Sequence, residues 1–243
     1  MIWSDEFNGP AGASPDPTKW SIEVGGSGWG NEELEYYTPR AANVALDGRG
    51  HLAITARHEI YTGTNGITRE YTSARLQTKG LFTTTYGRIE ARIKLPAGDG
   101  LWPAFWALGS DIESAGWPNC GEIDVMESLG SDPFTLFGSI HGPQEGTSRD
   151  YTLSASEHSA SSLASAFHVY GVQWSPSAIT FTFDGSAYSV RTPASLSPGQ
   201  QWVFDKPFFL LLNLAVGGNL PGAPNDSTPF PATMLVDWVR VYD

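Results

Sequence analysis

The chain has 243 residues, and its 14 Lys and Arg residues against 26 Asp and Glu residues give a formal charge of −12. Without a basic surface to neutralise phosphates, it is not expected to bind nucleic acid or an anionic membrane, and a polyanionic sugar is a poor substrate. The single cysteine, Cys120, excludes an intramolecular disulfide, and no segment approaches the ~18 apolar residues of a membrane span.

Alternating apolar and polar residues predict β-strands throughout the chain. In chain order, the strands predicted from this alternation or from apolar runs cover residues 51–57, 87–95, 169–174, 179–183, 188–191, 208–214 and 234–242. Helical periodicity is nearly absent: 156–166 fits a short helix or a loop equally well, and 221–231 is expected to be a surface loop. With 27 Gly and 17 Pro residues to form turns, the pattern predicts an antiparallel sandwich or barrel, in one domain over residues 1–243.

Three acidic residues lie within one short apolar strand. Glu122 and Asp124 are two residues apart and share a face, but the third acid stands at 127 instead of 126. We therefore predict a β-bulge near Val125 and Met126, which turns Glu127 onto the same face. Like charges this close raise at least one pKa and leave a proton to donate, which is what glycoside hydrolysis requires. A solvated polar face and a site for Ca²⁺ or Mg²⁺ are the alternatives.

Aromatic residues accompany the three acids. Alternation along 101–108 places Trp102 and Trp106 on one face, and Trp117 opens the acidic strand. Flat indole faces suit the C–H faces of pyranose rings, and the indole N–H can still bond a hydroxyl. The chain has nine Trp residues, more than a core of this size usually needs, so a sugar cleft is a natural place for some of them.

The sequence resembles glycoside hydrolase family 16, and within it the endo-1,3-β-glucanases, or laminarinases. The resemblance covers essentially the whole chain, and the segments that carry it are WSDEFNG (3–9), GNEELEYY (30–37), YTSARL (71–76), YGRIEAR (86–92), LWPAFWAL (101–108), WPNCGEIDVMES (117–128), SIHG (139–142) and DWVRVY (237–242). It implies an all-β, concanavalin A-like fold: a jelly-roll β-sandwich of two antiparallel sheets, with a substrate cleft across its concave face. The spacing of the acids resembles laminarinases rather than lichenases, whose second Glu comes one residue earlier.

The resemblance also implies roles for individual residues. Glu122 would be the nucleophile, Asp124 its assistant and Glu127 the general acid/base of a retaining cleavage of internal β-1,3-glucosidic bonds. The residues expected to contact the sugar are Asn31, Arg75, Trp102, Trp106, Trp117, His141 and Asn213. Four of these have ordinary structural alternatives: Asn31 a position in a turn, Arg75 a surface salt bridge, His141 a place in the core, and Asn213 a buried hydrogen-bond partner.

A structural calcium ion is implied on the convex face, far from the cleft. Its ligands would be the backbone carbonyls of Glu6 and Gly50 and the carboxylate of Asp237. Hard oxygen ligands of this kind are those that Ca²⁺ selects. The alternative is that Asp237 caps a turn before the last strand. No organic cofactor is implied.

Two functions of different class compete. The first is a retaining endo-1,3-β-glucanase, with mixed 1,3-1,4 specificity as a variant, and the second is a non-catalytic β-glucan-binding module on the same fold. Because Glu122 and Glu127 are both present, the sequence favours the enzyme. The resemblance further implies a monomer that is secreted, although the first residues lack the basic and apolar segments of a signal peptide.

Overall fold

The computed structural model describes all residues, 1–243, and they form almost only β-strands. The strands are β1 (Trp3–Asp5), β2 (Ser21–Glu23), β3 (Glu35–Tyr37), β4 (Val44–Leu46), β5 (Leu52–Thr62), β6 (Thr68–Ser73), β7 (Arg75–Gln77), β8 (Gly87–Lys94), β9 (Leu101–Gly109), β10 (Glu122–Ser128), β11 (Thr135–Pro143), β12 (Asp150–His158), β13 (His168–Ser175), β14 (Ala178–Phe183), β15 (Ser186–Arg191), β16 (Phe208–Val216) and β17 (Ala232–Tyr242). One short α-helix, Ile112–Ala115, and one 3₁₀ turn, Pro193–Ser195, complete the list. No helix has the length and apolar character needed to cross a membrane.

The strands form two sheets that pack face to face as a jelly-roll sandwich. Ten strands form one sheet, with the order β15-β14-β13-β8-β17-β5-β6-β3, while β1 pairs with β17 and β4 with β5. The other seven have the order β12-β11-β10-β9-β16-β7-β2. Every pair is antiparallel except β3 and β6, which run parallel at one sheet edge and so depart from the prediction of two antiparallel sheets. The chain between them, which contains β4 and β5, is long enough for the crossover that a parallel pair needs.

The core lies between the sheets and follows the period of two residues. A cluster of 39 buried residues includes Ile89, Ala91 and Ile93 of β8, and the residues between these three point outward. Strand β16 is buried along its whole length, because Phe209 and Leu211 on its second face belong to a smaller apolar cluster with Leu108 and Cys120. Asn213, on the same face, lines a cleft. Burying each large aliphatic or aromatic side chain contributes roughly 1.5–3 kcal/mol, so this double-sided layer anchors the sandwich.

The predicted strands are all confirmed, and most are longer than the pattern indicated. The loop prediction for 221–231 is confirmed, since no element lies between β16 and β17. For 156–166 the structure differs, because its first residues end strand β12 and the remainder is an irregular connection. Strand β12 escaped notice because it is an edge strand rich in Ser and Thr, whose small polar side chains face solvent and give little hydrophobic contrast.

Candidate active site

A cleft of about 830 Å³ runs across the outer face of the seven-stranded sheet. Side chains from β7, β9, β10, β11, β12 and β16 line it, together with residues 27–33 of the loop before β3. Every residue predicted to act on or contact a sugar lies in its wall, namely Asn31, Arg75, Trp102, Trp106, Trp117, Glu122, Asp124, Glu127, His141 and Asn213. Sequence positions almost two hundred residues apart therefore converge on one concave surface.

The predicted bulge in β10 is confirmed on both sides of the strand. From Asp124 to Glu127, β10 uses three residues where β11 uses the two steps from Ser139 to Phe137. Towards β9, Asp124 pairs with Trp106 and Glu127 with Ala104, again two steps. The extra residue lets Glu127 face the cleft, while Val125 and Met126 are both fully buried in the core.

A histidine ties together the carboxyls at one end of the acidic strand. Nε2 of His141 lies 3.0 Å from Oδ2 of Asp124, and Nδ1 lies 3.1 Å from Oδ2 of Asp150. The hydroxyl of Thr152 is also 3.0 Å from Nδ1. Ligand atoms of Glu122, Asp124 and His141 all lie within 4.8 Å of one another. Asp150 and Thr152 therefore hydrogen-bond Nδ1 of the ring, and Nε2 on its other side is in close contact with Asp124.

Two indole N–H groups hold the outer carboxyls. Nε1 of Trp117 donates to Oε2 of Glu122 at 2.7 Å, and Nε1 of Trp102 donates to Oε1 of Glu127 at 3.0 Å. Both rings keep their flat faces available in the cleft wall, and Trp117 is 48% exposed. The tryptophans therefore orient the acids in addition to offering a stacking surface.

Glu127 is a carboxylic acid at neutral pH. Burial and the nearby charge of Asp124 raise the pKa of Glu127 to about 8, against opposing effects of His141 and of the Trp102 N–H. Burial by itself would lower the pKa of His141, but Asp124 outweighs it, and with Glu122 and Asp150 it raises that pKa to about 10. The site therefore places an imidazolium beside a proton donor.

The pKa of Glu122 is raised as well. Burial and then Asp124 raise it well above its usual range. Part of this effect is a hydrogen bond between the two carboxyl groups.

Arg75 packs against two aromatic rings in the cleft wall. Its guanidinium carbon is 4.7 Å from the ring centroids of both Trp29 and Trp106, and its Nε donates to Glu23. The ion pair expected as the alternative is thus present, yet Arg75 still lines the cleft.

The family model for glycosyl hydrolases family 16 matches residues 33–240. The chain belongs to this family. It is 42% identical to the β-glucanase of Rhodothermus marinus, over 100% of this chain and 84% of that protein. The glucan endo-1,3-β-glucosidase A1 of Niallia circulans is 38% identical, and the chain spans only 37% of its length. The X-ray structure of an endo-β-1,3-glucanase from Pyrococcus furiosus superposes with a TM-score of 0.91 at 47% identity, covering 100% of this chain and 94% of the other.

Several cleft residues of this family 16 hydrolase were missed by the sequence analysis. Trp29 comes from the Gly-rich loop, and Asp150, Thr152 and Ser154 from β12. The signal for the last three was available, because they alternate along one strand and so share a face. Trp29 gives no such signal, since it lies in a turn at φ 50° and reaches Arg75 through tertiary structure alone.

The segments that carry the predicted calcium ligands of this family 16 hydrolase lie on β17 or next to strands that pair with it. Strand β1 pairs with Val239–Val241 and β5 with Ala232–Val236, so both strands meet beside Asp237, where the pairing with β8 also shifts by one residue. No donor of the chain bonds to the carbonyl oxygen of Glu6 or Gly50. These oxygens fit Ca²⁺, but the Asp237 carboxylate pairs with Arg92, and an ion would have to share it.

Proposed function

We propose that this glycosyl hydrolase is a retaining endo-1,3-β-glucanase. The observation that carries the proposal is the bulged strand, which presents two Glu side chains to one cleft, with Glu127 protonated near neutral pH. The similarity to proteins named as 1,3-glucanases supports the linkage. The pairing of Glu122 with Trp117, Asp124 and His141 exceeds what a binding surface needs, so the non-catalytic alternative is less favoured.

In the first step Glu122 attacks the anomeric carbon of a glucosyl unit. The attacking group is its carboxylate. Glu127 gives its proton to the leaving glycosidic oxygen as the C–O bond breaks, and a covalent glycosyl–Glu122 ester remains. The N–H of Trp117 stabilises the carboxylate of Glu122 before attack and again when it is released.

In the second step Glu127, now ionised, takes a proton from water. The oxygen of that water attacks the anomeric carbon from the face that the leaving group vacated, and the ester bond to Glu122 breaks. Two inversions give net retention. The charge moves between Glu127 and the Glu122–Asp124 pair, and the His141 imidazolium beside Asp124 offsets the negative charge throughout.

Product analysis tests the linkage and the mode of action. Laminarin, lichenan and a 1,4-glucan are incubated separately, and the oligosaccharides released are sized and linkage-typed. Internal cleavage of laminarin is expected, with no products from the 1,4-glucan. Products from lichenan as well would indicate mixed 1,3-1,4 specificity, and binding of laminarin without any cleavage would favour the binding module.

Trp102→Phe is expected to shift the alkaline limb of the pH profile of kcat/KM to higher pH, by about one unit. The ring face remains, but Glu127 loses the N–H that lowers its pKa, a bond to a charged group contributing about 1.5 kcal/mol. Activity falls as Glu127 ionises, so a higher pKa extends activity to higher pH. Trp106→Phe is the control, because its N–H serves Asn213 and not Glu127. An alkaline limb at the same pH in both variants and in the wild type would contradict this account.

We also propose that a structural calcium ion binds at Asp237, with the Glu6 and Gly50 carbonyls as further ligands. The unbonded carbonyl oxygens and the meeting of β1 and β5 at this residue support it. The ion would tie the first strand to the last and supply no chemistry to the cleft. We further propose that the enzyme acts outside the cell as a monomer, since a polysaccharide does not cross a membrane and one chain supplies the whole cleft.

Chelation with EGTA is expected to lower the melting temperature by about 5–10 °C while activity at low temperature persists. Calcium at a hundred times its Kd stabilises the native state by about 2.7 kcal/mol, and each kcal/mol shifts Tm by about 2–4 °C at this size. Asp237→Asn should remove the response to EGTA. Arg92→Gln breaks the same ion pair but leaves the carboxylate free, so it should keep the response. A wild type that melts identically with calcium and with EGTA would exclude the site.

A further inference from the structure

Glu35 is a fully buried carboxyl group that the proposed mechanism does not use. It lies on β3, and its Oε2 accepts the backbone N–H of Val216, on β16 of the other sheet, at 2.7 Å. No N–H or O–H donor of the chain reaches its Oε1. A buried ionised carboxylate with one unpaired oxygen is costly, so this group needs either a proton or a further partner.

The neighbouring Glu33 supplies that partner. Burial, and then the charge of Glu33 and a hydrogen bond to it, raise the pKa of Glu35 well above its usual range. A protonated Glu35 therefore donates its O–H to Glu33, and its otherwise unpaired oxygen is satisfied. The other charged and titratable groups around this pair are Tyr37, which keeps its proton because burial and the two acids raise its pKa, and Arg75.

Glu33 connects this buried acid to the cleft. Its Oε1 accepts from Nδ2 of Asn31 at 3.3 Å, and its Oε2 accepts from the hydroxyl of Tyr37 at 2.8 Å. Both Asn31 and Glu33 line the cleft, whereas Glu35 does not. The hydrogen bonds thus lead from the space between the sheets to the cleft surface.

A second branch of the network starts from Tyr37. Nδ2 of Asn213 donates to the Tyr37 hydroxyl at 3.3 Å, and Nε1 of Trp106 donates to Oδ1 of Asn213 at 2.7 Å. Tyr37 is therefore the buried hydrogen-bond partner expected as the alternative for Asn213. The hydrogen-bonded pair Glu33 and Glu35 is therefore connected to three other side chains that face the cleft, those of Asn31, Trp106 and Asn213.

The backbone is held at the same place. The N–H of Leu34 bonds to the carbonyl of Val216, and that of Asn219 to the carbonyl of Asn31, both at 2.8 Å. Gly218 permits this approach: a Cβ there would lie 2.8 Å from the Asn31 carbonyl oxygen, and its φ is 112°. These backbone hydrogen bonds fix the path of the loop. The property that Glu35 can still influence is the orientation of the loop's side chains.

We propose that Glu35, as a carboxylic acid, is a positioning residue for the sugar-binding side chains Asn31 and Glu33. By donating its O–H it fixes the orientation of the Glu33 carboxyl group. The fixed carboxylate in turn orients the Asn31 amide and remains an acceptor for a sugar hydroxyl. The inference rests on the proposed function, because it takes the occupant of the cleft to be a glucan.

Two substitutions separate positioning from bulk stability. Glu35→Gln keeps a donor for Glu33 and an acceptor for the Val216 N–H, whereas Glu35→Leu removes both. On a laminari-oligosaccharide, Glu35→Gln should keep KM within about twofold, and Glu35→Leu should raise KM about tenfold with kcat changed less than about threefold. Ser73→Ala is the control, because the Ser73 hydroxyl bonds the Leu214 carbonyl across the same two sheets and has no link to Glu33. It should lower Tm and leave KM unchanged.

The outcomes decide the proposal in each case. A KM for Glu35→Leu equal to that of the wild type would overturn it, and so would a tenfold rise in Glu35→Gln. Should Glu35→Leu fail to fold, ¹³C NMR of labelled Glu carboxyl carbons gives the second measurement. The signal that disappears in Glu35→Gln should keep its protonated shift through the pH range in which an ordinary carboxyl group titrates, and titration within that range would overturn the proposal. That signal needs no glucan, so it distinguishes this proposal from a failure of the glucanase function.

Discussion

Glu122→Ala and Glu127→Ala are each expected to lower laminari-oligosaccharide hydrolysis by about 10³-fold, and added azide should give them products of opposite anomeric configuration. Glu122→Ala leaves a space on the α face of the bound sugar while Glu127 keeps its proton. Azide can enter that space, attack the anomeric carbon once, and yield an α-glycosyl azide.

Glu127→Ala keeps the nucleophile and loses the proton donor. With an activated aryl β-laminarioside, whose leaving group needs no proton, Glu122 should still form the ester. Azide needs no base to attack this ester from the β face, so the product should be a β-glycosyl azide. Glu122→Gln and Glu127→Gln are matched controls, because each fills the space of the lost carboxyl and should respond less to azide.

NMR of the freshly cleaved wild-type product decides whether the reaction retains or inverts the anomeric configuration. A β reducing end that mutarotates afterwards is expected from two inversions. An α reducing end as the first product would mean that the enzyme inverts. In that case the assignment of Glu122 as nucleophile and Glu127 as acid/base is wrong, whatever the azide experiments yield.

Asp124→Asn is expected to lower kcat by about 10²-fold and to move the alkaline limb of kcat/KM to lower pH. Asn lacks the carboxylate that contacts Nε2 of His141 beside the nucleophile, so Glu122 loses its charged neighbour. The substitution also removes the charge that, after burial, raises the pKa of Glu127 to about 8. A lower pKa means that the acid is lost at a lower pH, so the shift is opposite in sign to that of Trp102→Phe.

The pH profiles of the two variants and of one control test this reasoning. Asp150→Asn removes the other carboxylate beside His141 but leaves Asp124 in place. His141, with a pKa of about 10, should stay charged there, and the limb should not move. An unchanged or raised limb in Asp124→Asn would show that Asp124 does not control the proton on Glu127.

The sequence was sufficient for the features that depend on local pattern. An acid at 127 where regular alternation expects one at 126 is enough to predict the bulge, and both neighbouring strands show it. The faces of Trp102 and Trp106 follow from the same period of two residues. A strand with one face in a core and one face in a cleft repeats every second residue, so these predictions needed no tertiary information.

The features that escaped prediction depend on contacts between distant segments. Glu35 and Val216 are 181 residues apart, and nothing in either segment indicates that a carboxyl and a backbone N–H will meet. The charge of Glu122 is a similar case. Alternation placed Asp124 beside it, but the burial that raises its pKa belongs to the assembled cleft.

The β-bulge in β10, which shifts the register against both neighbouring strands, has a genetic consequence. Both neighbouring strands take two steps between the partners of Asp124 and Glu127, so loss of the codon for Val125 or Met126 would restore regular pairing on both sides at once. The second glutamate would keep its cross-strand partners and still face the cleft. One in-frame triplet therefore separates this gene from one that encodes a straighter acidic strand, and a lineage can cross between the two geometries without losing either carboxylate.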